Sequence, residues 1–359
     1  MVMSSPDCGN INYQGEGTAS SPFLIEDIDE LQCIEKNPKG EYEIVEDIDA
    51  SETSEWSGGF EPISQFNGSV LGRNNSINNF ELNAERDSYA GIFEIIGSEA
   101  SVNNFSIYNF TLENGNWYVG SLAGQNNGNI SKISSEGSIE GEGAVGGLVG
   151  RNKGSINEGQ SEVEVEGYHY VGGLVGENLG LVKYSYSEGS VKIFDDGGGF
   201  IGMNEGTVKS SYSVSKVNSN NWTYSGNFIG LNTDGDIKAS YWLKNKNPES
   251  YWYKEPVANY DYLNGSALDI DLMKGDACGM RRFNFSSAWD TVENSTPKLQ
   301  TNQSFENETR NCSKYIKEVK ENKNVKEGSK LLENVENSDR IIQGFIVFLL
   351  VLGIYKIYN

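Results

Sequence analysis

Few residues in this 359-residue chain have the chemistry for catalysis. Three pairs of nearby carboxylates are candidates: Asp47 with Asp49, Asp195 with Asp196, and Asp234 with Asp236. A glycosidase needs two carboxyls at a set separation, one of them with a raised pKa. Asp195-Asp196 and Asp234-Gly235-Asp236 sit where turns are expected, and turns favour Asp because its carboxylate bonds nearby backbone N–H groups. The run "NTDGD" (232–236) resembles the start of a calcium loop but lacks the spacing and closing glutamate of an EF-hand. No cofactor is expected; calcium at the acidic turns is the one ion left open, and metal ligation is otherwise unassigned. The single histidine, His169, lies in "GYHY". A zinc site with two histidines is therefore excluded, and no HExxH motif is present. A Ser-His-Asp arrangement would need a serine and an acid to converge on His169. Its place beside two tyrosines reads instead as a surface or turn residue. The chain is expected not to be an enzyme.

The four cysteines are Cys8, Cys33, Cys278 and Cys312, and no CxxC exists. The count permits two disulfides in an extracytoplasmic chain, with Cys8–Cys33 and Cys278–Cys312 nearest in sequence; four unpaired thiols are the alternative. There are 51 acidic and 28 basic residues, a formal charge of −23. No basic patch is available for phosphate, so nucleic acid is not expected as a partner. The charge fits a well-solvated surface or adaptation to high salt. Aromatic residues recur at Tyr168, Tyr170, Tyr184, Tyr186, Tyr212, Trp222, Tyr224, Tyr241 and Trp242. Among them Tyr184, Tyr186, Tyr212, Trp222 and Tyr224 are candidate ligand-facing residues for a glycan or a surface protein. Ladder packing along a strand face is the alternative.

The elements that would position these residues follow from a repeat. "VGGLVGRN" (145–152) returns as "VGGLVGEN" (171–178). Aligned by 26, Gly120, Gly146, Gly172 and Gly198 fall in register, as do Gly124, Gly150, Gly176 and Gly202. Leu122, Leu148, Leu174 and Phe200 lie between them. Asn126, Asn152, Asn178 and Asn204 follow, then Gly128, Gly154, Gly180 and Gly206. Ile130, Ile156, Val182 and Val208 match, and so do Ser135, Ser161, Ser187 and Ser213, and Ile139, Val165, Val191 and Val217. A period of this length marks a solenoid. No unit holds a helix-length amphipathic stretch, whereas each holds three short β-type runs between glycine, asparagine and serine. The fold class expected is all-β: a right-handed parallel β-helix (solenoid) of about 26-residue coils, with a C-terminal transmembrane helix. The aligned glycines let one wall pass close to another or turn sharply. The asparagines are expected to bond from rung to rung, and the glycines two residues later to supply a corner with positive φ.

These residues carry a resemblance. Gly147-Leu148-Val149-Gly150, Gly173-Leu174-Val175-Gly176 and Gly199-Phe200-Ile201-Gly202 resemble the GLUG motif, whose third letter is any aliphatic residue. The flanks "GEGTASSPFLIED" (15–27), "YEIVEDIDASET" (42–53), "GFEPIS" (59–64) and "MRRFNFSSAWDTVENSTPKL" (280–299) are similar to the same group, and the likeness covers roughly residues 13–300. GLUG arrays occur in surface proteins that include filamentous-haemagglutinin-like adhesins and IgA-specific metallopeptidases. The resemblance implies a β-helical stalk or adhesive surface module. It implies no peptidase, because the zinc motif is absent.

The ends complete the reading. Residues 1–15 have no basic start and no apolar core, so no signal peptide is expected there. Residues 341–358 form an apolar stretch of about 18 residues, the lower limit for a membrane-spanning helix. Asn-x-Ser/Thr tripeptides recur from Asn67 to Asn311 and, with the disulfide option, place the body outside. The expected organisation is a lead-in with a capping helix over 1–40, coils over 41–243, a C-terminal cap over 244–300, a polar stalk over 301–340 and the membrane helix over 341–358. The expected function is a non-catalytic, membrane-anchored surface β-solenoid for adhesion or envelope structure, single-pass, with its bulk extracytoplasmic. A carbohydrate-active β-helix enzyme and a cytoplasmic tail-anchored scaffold are the rivals.

Overall fold

The computed structural model describes residues 5–56, 59–84, 88–219, 224–243, 265–268, 273–274, 280, 289–290, 292 and 295–299. Each 26-residue unit lays down one coil of a parallel β-solenoid. In one coil, Ala144–Gly146 is followed by Val149–Asn152, Ser155–Asn157, Gln160–Ser161 and Glu164–Gly167. Every strand pairs in parallel with its equivalent one coil on, as Gly146 with Gly172, Asn152 with Asn178, Ile156 with Val182, Ser161 with Ser187 and Val165 with Val191. Three walls result: a six-stranded first short wall, a seven-stranded second short wall, and a long wall built from the remaining runs.

The third β run of each unit is not one strand throughout. It is continuous in Ser101–Gly115 and Asn129–Gly141 but divides into three short strands in the later coils. A stacked column of left-handed residues bends the wall: Asn104, Lys132, Glu158, Tyr184, Ser210 and Ala239, with φ from 47° to 67°. The expected positive-φ corner at Gly128, Gly154, Gly180 and Gly206 is therefore corrected, since none of these glycines has positive φ. Close approach is what requires them. A Cβ on Gly154 would lie 2.1 Å from the Gly128 carbonyl oxygen of the preceding coil.

The same argument explains the paired glycines of the repeat. A Cβ on Gly146 would fall 2.2 Å from the Val149 oxygen and 2.6 Å from the Gly176 nitrogen. One on Gly150 would fall 2.4 Å from the Val119 nitrogen. The two short walls thus meet backbone to backbone. Between them and the long wall, Leu122, Leu148, Leu174, Phe200 and Phe228 are fully buried, with Ile130, Ile156, Val182 and Val208 stacked opposite. The rings of Phe200 and Phe228 lie 4.9 Å apart and parallel within 2°. Each such side chain contributes about 1.5–3 kcal/mol on burial.

In the asparagine column Asn126, Asn152, Asn178 and Asn204 are also fully buried. The Nδ2 of Asn126 donates to Oδ1 of Asn152 at 2.8 Å, Asn152 to Asn178 at 2.8 Å, Asn178 to Asn204 at 2.7 Å and Asn204 to Asn232 at 2.7 Å. Asn126 Oδ1 accepts from the Gly128 N–H at 3.0 Å, which closes the turn after the strand. Toward the N-terminus, Asn126 is in register with Ile96, so the ladder begins at Asn126.

At the N-terminal end, Phe23–Ile25 pairs in parallel with Glu41–Ile44, so the ladder begins before residue 41. The first helix, Ile28–Gln32, starts where the Asp27 carboxylate accepts from the Glu30 N–H, and the chain continues as a 3-10 turn over Cys33–Lys36. Ile28, Leu31 and Ile34 are buried against the first coil. Cys8 and Cys33 form a disulfide with Cα atoms 5.2 Å apart. Cys278 and Cys312 lie outside the described residues. Among the described residues no helix is long and apolar enough to cross a membrane, and residues 341–358 fall outside them.

Replacing Asn178 with Leu removes two rungs and leaves the Asn152 amide and its neighbours without their partner. The expected cost is about 1–3 kcal/mol, concentrated in the altered coil and its two neighbours. Asn126→Leu removes only one rung and should cost less. Hydrogen exchange on both variants checks this, and equal loss of protection in the two would contradict it.

Candidate functional site

Where the long wall ends and the first short wall begins, each coil turns a corner. Equivalent backbone groups bond directly from coil to coil. The Glu142 N–H donates to the Gly115 oxygen at 3.0 Å, His169 to Glu142 at 3.1 Å, and Asp195 and Asp196 both to Tyr168 at 3.1 Å. Gly115, Gly141, Gly167 and Ile193 stand in one register. The residues that follow them therefore form a column: Asn116, Glu142, Tyr168 and Phe194. A groove of about 360 Å³ runs along this corner, lined by Asn114, Asn116, Glu140, Glu142, Glu166, Tyr168 and Phe194 among others. Tyr168 is 51% exposed, and its ring rests on Phe194 with centroids 4.8 Å apart. Lys192 bonds Glu166 at 2.7 Å and lies 5.0 Å from the centre of the Phe194 ring.

Beside the groove the chain's sole histidine meets two acids. His169 Nδ1 lies 3.0 Å from Asp195 Oδ2 and 3.6 Å from Asp196 Oδ2. Their donor atoms fall within 4.8 Å of one another, a set of the kind that could hold a small cation. Burial holds the Asp196 carboxyl above the usual range, and the Tyr170 N–H and His169 partly offset it. Tyr170 itself is left-handed, with φ 45°, and its N–H donates to Asp196 Oδ1. Sequence reasoning placed His169 and the Asp195-Asp196 pair separately as turn residues. Their meeting was readable from the repeat, because Asp195 occupies the position of His169 one coil later.

The other carboxylate pairs make local bonds. Asp47 Oδ1 accepts from the Ser76 N–H at 2.7 Å and from its hydroxyl at 2.9 Å. Asp49 accepts from Ser51 and Asn79, and these bonds hold its pKa below the usual range. Asp236 pairs with Lys238.

Of the two readings of the aromatic stripe, ladder packing holds for Tyr186 and Tyr212 and the ligand-facing one is corrected there. Tyr186 and Tyr212 stack at 5.1 Å, parallel within 2°, but are 1% and 0% exposed. They face away from the main core, and a second small core with Leu268, Met273, Met280, Trp289 and Leu299 covers them. Tyr184 is half-buried beside it, Tyr224 is 52% exposed, and Trp222 lies outside the described residues. Residues 296–298 strap down this cover. The Tyr212 hydroxyl, with one hydrogen to give, lies 2.7 Å from both Glu188 Oε1 and the Pro297 oxygen. Lys298 Nζ reaches Glu188 at 2.6 Å, Glu162 at 3.2 Å and the Tyr186 hydroxyl at 3.3 Å. Burial pushes the hydroxyls of Tyr186 and Tyr212 well above the usual tyrosine range, so both stay protonated donors. Outward alternation in a strand reads the same whether a wall is open or covered, which is why the sequence left the ligand-facing and ladder-packed readings of these rings both open.

The comparisons with known proteins bear on the coils. The family model described as the GLUG motif matches residues 167–192, the coil that carries Tyr168, His169 and Tyr170. That coil carries the GLUG motif. Over 141 residues, 36% of this chain, it is 33% identical to Halomucin of Haloquadratum walsbyi, covering 2% of that protein. Over 132 residues it is 35% identical to a protein of Evansella cellulosilytica provisionally named a Gly-rich membrane protein, covering 34% of this chain and 15% of that one. The chain thus spans a small part of the length of both relatives. A crystal structure of a Bacteroides ovatus protein, provisionally named an immunoglobulin A1 protease, matches 80% of this chain and 94% of its own with a TM-score of 0.58 at 16% identity. A structure named IgA1 Protease matches 82% of this chain and 26% of its own with a TM-score of 0.50, also at 16% identity. At that identity both likenesses concern the fold alone.

The GLUG coils thus present two flanks of different character, an open groove and a strapped tyrosine column. Lys298→Ala should loosen residues 295–299 and raise their hydrogen exchange, because Glu162 and Glu188 lose their shared cation. Exposed ion pairs of this kind contribute about 1 kcal/mol or less. The coils beneath should keep their protection. Unchanged exchange over 295–299 would mean that the apolar contacts of Trp289 and Leu299 alone hold the strap.

Proposed function

We propose that this chain is a non-catalytic, membrane-anchored cell-surface β-solenoid used for adhesion or envelope structure. The observation that carries the reading is that the repeat residues are taken up by stacking. The glycines hold the walls together, the asparagines form a buried ladder and the apolar residues fill the core. What they build is a rod whose outer positions are free to differ from coil to coil. The Cys8–Cys33 disulfide supports an oxidising, extracytoplasmic location for the body. The apolar run at 341–358 supports a single membrane span, and a relative named as a membrane protein agrees with it.

Protease treatment of intact cells tests the placement. The body should be cleaved from outside; full protection until lysis would favour the tail-anchored cytoplasmic scaffold. Beads coated with the protein should then adhere to cells or to isolated envelope.

One observation favours the carbohydrate-active enzyme as a second reading. Glu140, Glu142 and Glu166 line the same groove, and a glycosidase uses two carboxyls. Under the non-catalytic reading, incubation with polysaccharides releases no reducing ends. Release that disappears in Glu142→Gln would replace it with the enzymatic one.

A further inference from the structure

We propose that the corner groove binds a neutral glycan chain, with a pyranose face on the open side of the Tyr168 ring. The proposal rests on the surface placement argued above, because that is where such a chain would be met.

Five large apolar or aromatic side chains are exposed among the described residues: Leu71, Tyr108, Trp117, Tyr168 and Tyr224. One of them, Tyr168, lines the groove, and a second, Trp117, follows the lining residue Asn116 in the chain. Trp117 is 59% exposed and directly precedes Tyr118, the residue in register with Ala144 at the start of the first short wall. The Tyr168 ring is held rather than free, since Phe194 backs it at 4.8 Å from the next coil. A fixed aromatic face with an open side is a platform for the C–H face of a sugar, which has both an apolar face and a polar rim.

The polar groups around it match that rim. Glu140 and Glu142 supply acceptors for hydroxyl donors, and Asn114 and Asn116 offer both donors and acceptors. The third acid, Glu166, is already neutralised by Lys192 at 2.7 Å. The remaining charge in the groove is negative, which disfavours uronate, sulfate or phosphate groups. The lining includes no deep apolar pocket of the kind that anchors a peptide side chain. Equivalent positions change from coil to coil, from Asn116 through Glu142 to Tyr168 and Phe194, so the groove is a single site with one aromatic platform.

Titration calorimetry on the full chain in lipid nanodiscs tests the proposal without a sugar-based detergent. The probes are cellohexaose, laminarihexaose and mannohexaose, with hexagalacturonate as the acidic control and hexalysine as the basic-peptide control. At least one neutral hexasaccharide should bind saturably with a Kd of about 1 mM or tighter. Tyr168→Ala should weaken it tenfold or more. Tyr108→Ala, an exposed ring on the long wall away from the groove, should leave it unchanged. No binding of any neutral hexasaccharide, equal affinity in Tyr168→Ala, or binding of hexalysine or hexagalacturonate alone would each overturn the proposal. The placement reading fails separately, in the protease experiment on cells. If beads adhere equally well with wild type and Tyr168→Ala, adhesion stands and the groove is not its site.

Discussion

Backbone touching backbone between the two short walls is the contact on which the rest of this structure depends. Gly120, Gly146, Gly172 and Gly198 on one side meet Gly124, Gly150, Gly176 and Gly202 on the other with no room for a methyl group. On that frame each coil buries a stacked Leu or Phe, with the Ile and Val stacks of the long wall in the same core. The apolar stacks supply most of the stability, at about 1.5–3 kcal/mol per side chain. The asparagine ladder contributes differently. A hydrogen bond adds about 1 kcal/mol net, but an unpaired buried amide costs more than that. A slipped coil would part each amide from its partner, so the ladder favours one register over its neighbours.

The periodic part of the fold was legible because every stacked position repeats its chemistry. Gly, Leu, Asn, Ile and Ser recur at 26 residues, and each recurrence became a contact with the next coil. The left-handed column was not legible, because its members are Asn, Lys, Glu, Tyr, Ser and Ala, which share no side-chain property. Backbone geometry imposed by neighbouring coils places them there despite their side chains. The glycines after each asparagine invited a positive-φ reading; a crowded carbonyl one coil away was the actual cause. The His169–Asp195–Asp196 cluster follows from the repeat arithmetic but needs the corner geometry to be recognised. The burial of Tyr186 and Tyr212 depends on residues 289–299, far along the chain and outside any repeat.

The two flanks divide the outer surface by chemistry. On one, tyrosines are sealed by Trp289, Leu299 and a lysine that two glutamates share. On the other, Tyr168 stays open among carboxylates and amides. Both flanks use the same device, a side chain placed by a coil whose inner residues are fixed. The net charge of −23 is carried largely by such outward positions, where Glu and Asp stay hydrated and impose little on the core.

The asparagine ladder has a direction. Each amide gives its hydrogen to the coil nearer the C-terminus, from Asn126 through to Asn232. Any internal coil therefore presents an acceptor to the coil before it and a donor to the coil after it, like every other internal coil. A whole coil can be lost or duplicated without leaving a broken rung, whereas any partial change cannot. At the level of the gene, the near-identical stretches at 145–152 and 171–178 are sites where unequal recombination would remove or add one such unit in frame. Rod length, in steps of about 4.8 Å, is then a trait that can vary between lineages while the fold stays the same.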